Sequence, residues 1–373
     1  MARVEAALGG QDGLCLFRAP GRVNLMGDHT DYNEGFVLPM AIDRDCLVGV
    51  RARADGRVVV RSLDVRPGEG VVDVAADGTD EPAAVTPAWG RYVAGVVRTL
   101  GEHGRHGAGA DAVLSSSVPL GSGLSSSAAL EVACALALCA VAGLELPTHD
   151  LAEACQRAEQ IATGVPCGIM DQLVSVGGRP DAALLLDCRS LEAEPVPLPD
   201  TVAGLAVHSG LPRALADSAY AERREACEAA AARLGIRSLR DASPEDVADD
   251  PFARHVVAEN ERVLETVAAI RSDELDRLGP LFAASHASLR DDYRVSTPEL
   301  DALVDALVGA GALGARLTGA GFGGCVVALM RAGDAEQVAA DAERRYRDAT
   351  GLEPRTFPCR AAAAAGPVSP TRE

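Results

Sequence analysis

Arg22, Asn24, Asp28, His29, Asp31, Tyr32 and Asn33 fall within twelve positions of the stretch GRVNLMGDHTDYN. A turn between two strands does not need so many polar groups. Asp and Asn favour turns on their own account, and one histidine among them is ordinarily a surface residue. Taken together the seven also suit a polyhydroxylated ligand, since carboxylates accept from vicinal hydroxyls while His and Asn both donate and accept. Chemistry alone leaves both readings open, a polar turn or a sugar-type site.

A second stretch, VPLGSGLSSSAALE, sets Gly121 and Gly123 around Ser122, adds Leu124, and follows with Ser125, Ser126 and Ser127 before a long apolar run that ends near Gly143 and Pro147. A flexible Gly/Ser linker would have this composition, but linkers do not run unbroken into an apolar helix. The pattern reads as a tight loop feeding the first turn of a buried helix. Free backbone N–H groups and the positive end of the helix dipole make such a turn an anion site. It is not a Walker A loop, which needs a lysine. All 35 basic residues are arginine. A nucleotide would therefore be neutralised by arginine, backbone amides, the helix dipole and magnesium.

Two further carboxylates stand out. Glu159 lies at the edge of an apolar stripe (Leu151, Ala154, Cys155, Ala158) at helical spacing, a position that a snorkelling surface group would also occupy. Asp171 lies among Ile169, Met170, Leu173 and Val174, where an ionised carboxylate requires a partner.

The elements that must hold these residues follow from pattern. Residues 44–75 alternate as strands around an Asp55-Gly56 hairpin signal. A helix is expected over 89–103, and a strand over 111–116 leads into the glycine loop. A proline-rich exit places a domain boundary near 195–200. The second half opens on a strand, GLAVHSG, and a long helix, and further helices are expected over 250–271 and 274–288. Thr297 is an expected N-cap with Pro298 at the first helical position. A second glycine-rich loop, Arg316 to Cys325, runs into a strand ending at Met330. The tail from Ala361, rich in alanine and proline, reads as disordered, and there is no internal repeat.

At 373 residues two domains are the default. A net charge of −19 argues against nucleic acid and anionic membranes as partners. No apolar run reaches the length of a membrane span, and no signal peptide is evident. Ten cysteines without a CxxC pair read as reduced thiols of a cytoplasmic protein.

The loop PLGSGLSSSAALE resembles the phosphate loop of the GHMP small-molecule kinases, and GRVNLMGDHTDYN closely resembles the sugar signature of the galactokinase family within them. PCGIMDQ and the 316–325 loop match the same family in the same order. The resemblance implies an α+β fold of two domains, an S5-like N-terminal domain (1–198) and a ferredoxin-like C-terminal domain (199–360) before the 361–373 tail, with the active site in the cleft between them. It implies Mg²⁺-dependent phosphoryl transfer from ATP to galactose by a monomer. Asp28, His29, Thr30, Asp31, Gly168 and Tyr220 would meet the sugar. Ser62 and the run Gly121, Ser122, Gly123, Leu124, Ser125, Ser126 and Ser127 would meet the nucleotide. Ser127 and Glu159 would hold the metal, and Arg22 and Asp171 would flank the reacting centre. Two departures stand out, Asp28 and Ala219, where the family usually has Glu. Two rivals stay open: a non-catalytic sugar and ATP sensor of the same fold, and a kinase for another substrate, such as N-acetylgalactosamine.

Overall fold

The computed structural model describes residues 1–10, 13–66, 68–211 and 216–369. Its largest sheet has six strands in the order Gly366–Pro367, Cys15–Asn24, Pro39–Arg53, Gly109–Ser116, Arg57–Ser62 and Val71–Ala75. All pairings are antiparallel except that between Arg57–Ser62 and Gly109–Ser116. The register of Cys15–Asn24 against Pro39–Arg53 shifts between Pro20 and Arg22. The shift skips Gly21, and just after it Arg22, opposite Ala41, turns its N–H to the glycine loop, donating to the Leu124 carbonyl at 3.1 Å.

The apolar run after the glycine loop forms the Ser126–Ala142 helix, apolar on nearly every side and therefore central. It packs on the strands Cys15–Asn24 and Pro39–Arg53 and on the helices Gly90–Glu102, Thr148–Thr163 and Met170–Gly177. With few aromatic side chains, this core closes by bringing backbones together. A Cβ at Gly95 would come within 2.6 Å of the Ala158 carbonyl oxygen, so the contact between two of these helices needs glycine there.

A three-stranded sheet, Phe36–Val37, Ala182–Asp187 and Ala193–Pro197, closes the first half. Sheet membership changes before Val202–His208, which joins an antiparallel four-stranded sheet in the order Gly314–Thr318, Cys325–Arg331, Val202–His208, Arg355–Cys359. The helices Leu278–Asp291, Pro298–Gly309 and Ala335–Thr350 pack against that sheet. The largest buried cluster runs from the first sheet to Val263, Phe282, Val327 and Leu329, so the two halves share a core.

Two expectations need correction. The segment after Ala361 is not loose: Ala361 bridges Ile42, and Gly366–Pro367 pairs with the Cys15–Asn24 strand, the 362, 364 and 365 amides donating to Ala41, Gly178 and Ser175. An open edge of the first sheet supplies the partners that composition cannot reveal. Residues 370–373 lie outside the described residues. The helix expected over 274–288 is also split, into a turn at Leu275–Arg277 and the Leu278–Asp291 helix.

Candidate active site

The irregular strand, the glycine loop and the Met170–Gly177 helix meet at a cleft of about 680 Å³, within the range of small-molecule sites. At its centre Arg22 donates to both carboxylate oxygens of Asp171, through Nε and Nη2 at 2.8 Å each, and through Nη1 to the Gly123 carbonyl at 2.6 Å. The Ser125 hydroxyl donates to the same carboxylate. The half-buried carboxylate thus has its partner, and the partner also grips the glycine loop.

The loop carries the backbone geometry expected of a phosphate cradle. Gly121 (φ 67°), Gly123 (φ 86°) and Ser125 (φ 58°) are all left-handed, conformations that only glycine adopts freely. Ser125 is the N-cap but makes no side-chain cap, so the first N–H groups of the helix stay available to an anion. Ser125, Ser126 and Ser127 line the cavity, whereas Ser122 is fully buried, its hydroxyl donating to the Pro119 carbonyl at 2.7 Å, and Leu124 is a core residue. Ser62, at the end of its strand, does not line the cavity, its hydroxyl accepting from the Asp64 amide at 3.4 Å.

Glu159 is a cavity-lining, half-buried group rather than a snorkelling one. It hydrogen-bonds Ser127 and accepts from Gln172 Nε2 at 2.8 Å. The same Gln172 nitrogen donates to Glu131 at 3.1 Å. Burial, then the charge of Asp171, raises the Glu159 carboxyl above its ordinary range. Burial and the nearby Glu159 push Glu131, fully buried at the base of the site, well above it.

The other end of the cleft is assembled by both halves. Gly168 presses against Asp31, and a Cβ there would sit 1.6 Å from Oδ2. The Gly168 amide donates to the Tyr220 hydroxyl at 3.3 Å. Burial, then Asp171, raises Asp31 to about 6. His29 is buried in a left-handed conformation (φ 68°), with Nδ1 2.9 Å from the Tyr32 hydroxyl. Burial, then His255, lowers its ring to about 3, so it is neutral. Thr30 lies beneath the site, its hydroxyl 2.8 Å from the Gly27 carbonyl and 2.6 Å from that of Phe36.

Asp28 lines the cavity but is already engaged: Oδ1 accepts from the Gly319 amide at 3.0 Å and Oδ2 lies 2.8 Å from Arg316. Burial outweighs Arg316 and raises its carboxyl. Arg316 also donates to Ser285, the Asn24 and Leu25 carbonyls and Glu259. Burial pushes Glu259 up, but Arg262 and Arg316 outweigh it and hold the carboxyl at about 2. This fully buried network joins the sugar-signature loop to the second glycine loop.

Sequence reasoning missed several cavity residues, among them Tyr92, Ser218, Thr163 and Ala320, as well as the supports Gln172, Glu131, Glu259 and Arg316. Gln172 and Arg316 stood inside motifs already singled out, so the signal was present but unread. Tyr92 and Glu259 carried none, since each looks like an ordinary residue of an amphipathic helix.

Sequence comparisons agree with this geometry. Residues 5–52 match the galactokinase galactose-binding signature, 91–179 the GHMP kinase N-terminal domain and 266–348 the GHMP kinase C-terminal domain. The fold superposes on mevalonate kinase of Methanococcus jannaschii with a TM-score of 0.67 at 19% identity, covering 93% of this chain and 98% of that one. Fold and site therefore define a GHMP kinase. The galactokinase of Roseiflexus sp. (strain RS-1) is 45% identical over 368 residues, covering 95% of this chain and 93% of that protein. The structure of Lactococcus lactis galactokinase complexed with galactose superposes with a TM-score of 0.89 at 33% identity, covering 97% of each chain. The chain belongs to the galactokinase family of ATP-dependent sugar kinases.

Proposed function

We propose that this protein transfers the γ-phosphoryl group of ATP to the anomeric hydroxyl of galactose, giving galactose 1-phosphate and ADP. The observation that carries the reading is Asp171. It is held by Arg22 and Ser125 where the glycine loop meets the Asp31–Gly168–Tyr220 end of the cleft. A carboxylate offers roughly four lone-pair directions, and three donors occupy them here. The remaining one accepts from the sugar hydroxyl and aims its oxygen at the phosphorus. Phosphoryl transfer depends on positioning and charge stabilisation more than on covalent catalysis. Arg22 and the loop amides supply the charge stabilisation; orientation is the larger part of what Asp171 does.

The residues also fit magnesium. Among the described residues, four carboxylates, Asp28, Asp31, Glu159 and Asp171, line the cavity against a single arginine, Arg22. A triphosphate entering such a site needs a cation. Ser127 and Glu159 offer hard oxygen donors beside the loop and are already within hydrogen-bonding reach of each other. Gln172 holds the carboxylate in place. Magnesium takes one or two such ligands and completes its shell with water and phosphate oxygens, and bound there it would neutralise charge on the phosphates. Ten free thiols, eight of them buried, suit a reducing compartment, which is the basis for assigning the enzyme to the cytoplasm.

A coupled ADP-release assay over a panel of sugars tests the proposal. Magnesium-dependent ADP release with galactose, and little with sugars differing at one hydroxyl, is expected. Tight binding of galactose and ATP without turnover would support the sensor instead, and a preference for N-acetylgalactosamine would move the substrate.

A further inference from the structure

Behind the sugar end of the cleft runs a buried chain of hydrogen bonds that the reaction does not use. His29 Nδ1 lies 2.9 Å from the Tyr32 hydroxyl, which lies 2.7 Å from the Tyr293 hydroxyl, which lies 3.2 Å from the Cys227 sulfur. The Asn33 carboxamide closes the far end. It donates to the His29 carbonyl at 2.9 Å and also hydrogen-bonds the Cys227 thiol. Tyr293 is fully buried, its ring packed between His29 (4.7 Å between centroids) and His255 (4.5 Å). His29 lines the cavity, and its buried Nε2 makes no close hydrogen bond among the described residues, although the ring also interacts with the Ala320 backbone.

A neutral imidazole donates from one nitrogen and accepts at the other, and the bond made by one decides the role of the other. The chain can run two ways. In one, His29 Nδ1–H donates to Tyr32, Tyr32 to Tyr293 and Tyr293 to sulfur. In the other, the thiol donates to Tyr293, Tyr293 to Tyr32 and Tyr32 to Nδ1. The second gives the phenol proton to the imidazole nitrogen, a far better acceptor than a phenol oxygen or a sulfur. It also leaves the sulfur, a weak acceptor, with only the Asn33 N–H to receive. The backbone of Ala320, which lines the cavity with His29, favours a proton on this ring as well.

We propose that Cys227, Tyr293 and Tyr32 are positioning residues that fix the tautomer of His29, so that Nε2 carries the proton and His29 enters the sugar site as a hydrogen-bond donor only. The inference deepens the galactose reading and rests on it for the identity of the ligand. The tautomer itself does not depend on that reading. The site thereby selects a sugar oxygen that can accept, and rejects an analogue lacking that oxygen because a buried donor would be left unpaired.

The test is a ¹⁵N spectrum of protein labelled at histidine, with the His29 signals assigned by their loss in His29→Gln. The expected result is a protonated Nε2 and an accepting Nδ1 in the unaltered protein. Tyr32→Phe should turn this into a mixture of tautomers, while Cys227→Ser, which keeps a donor, should preserve it. Calorimetry with galactose should show affinity falling roughly tenfold in Tyr32→Phe, the size of one lost hydrogen bond. Of the monodeoxy galactoses, the one that loses affinity most in the unaltered protein should lose no more in Tyr32→Phe. A protonated Nδ1 in the unaltered protein overturns the proposal. So does a Tyr32→Phe protein whose melting temperature drops while its tautomer stays put. If a variant fails to fold, the spectrum of the unaltered protein still decides. Failure of the unaltered protein to bind galactose would defeat the sugar assignment and leave the tautomer to be judged on its spectrum.

Discussion

The two ends of the cleft are built on different principles. At the phosphate end, a few consecutive residues do most of the work through their backbone: left-handed Gly121, Gly123 and Ser125, and the uncapped first turn of the Ser126–Ala142 helix. Their ligand would be recognised by amides that any small-residue sequence supplies. At the proposed sugar end, recognition would depend on side chains from distant segments held by a second layer. Arg316, Glu259 and Ser285 lock Asp28 and the Gly319 amide, and Tyr32, Tyr293 and Cys227 lock His29. A polyphosphate needs charge and close approach; a sugar needs oriented donors and acceptors, and orientation requires support. Asp171 stands where the two ends meet, and breaking it should hurt most.

Asp171→Asn keeps the shape and removes the charge and the capacity to take a proton. Turnover should fall by at least ~10²-fold in a protein that still folds, since Asn can accept from Arg22 and Ser125. Turnover must be read beside a thermal melt, with Arg22→Ala alone and in combination. Near-normal turnover would remove Asp171 from the reacting centre, and a lowered melting temperature with unchanged activity per folded molecule would make it a structural ion pair.

The next largest effect belongs to the support layer of the sugar end. Glu259→Gln leaves Arg316 and Arg262 facing a neutral amide in a fully buried site. Removing one partner of such a network costs about 3–5 kcal/mol, measurable by urea unfolding. The sugar end should suffer selectively, with galactose affinity falling more than ATP affinity. Equal losses of both would erase the distinction between the two ends.

The same contrast explains what was legible in the sequence. The glycine loop, Arg22, Asp171, Ser127 and Glu159 could be singled out because their chemistry is local or carried by short motifs. The alternation of residues 44–75 and the apolar run after the loop fixed the central strands and helix for the same reason. Ser122, Leu124 and Thr30 came along with their motifs, yet the structure turns them inward, since spacing within a tight loop does not tell which side chains face the cavity. Asp28 read as a sugar ligand, and it does line the cavity, but its ties to Arg316 and Gly319 some 290 positions away could not be read. Tertiary partners of that kind leave no periodic mark. The pairing of Gly366–Pro367 with the first sheet was hidden too, because its partners are backbone groups.

At the phosphate end a smaller effect is expected from Ser127→Ala. Losing one oxygen beside Glu159 should raise the magnesium concentration for half-maximal turnover about tenfold, the order of a single lost charge-assisted contact. Galactose affinity without nucleotide should not change, because Ser127 lies on the loop side of the cleft. A matching loss of sugar affinity by calorimetry would show that the two ends are not separable there.

The smallest effect, and the finest test of the sugar end, concerns Asp31. Its carboxyl is raised to about 6, by burial first and by Asp171 second, against an ordinary value of about 3.9. Below pH ~4 the group is protonated in both folded and unfolded chains and costs nothing. As pH rises through 6 the unfolded chain has already released its proton, and the folded chain must then hold a buried charge beside a like one. The stability present at low pH is therefore lost as pH rises through about 6. Asp31→Asn has no proton to lose, so its melting temperature should exceed that of the unaltered protein by roughly 2–4 °C at pH 7.5, with much of the gain gone at pH 5. Galactose affinity should fall at both pH values, since the amide cannot accept at both positions. A melting-temperature difference that does not change with pH would mean that Asp31 is not held as a strained charge, and the sugar end would then owe its rigidity to the Arg316 and Tyr293 supports alone.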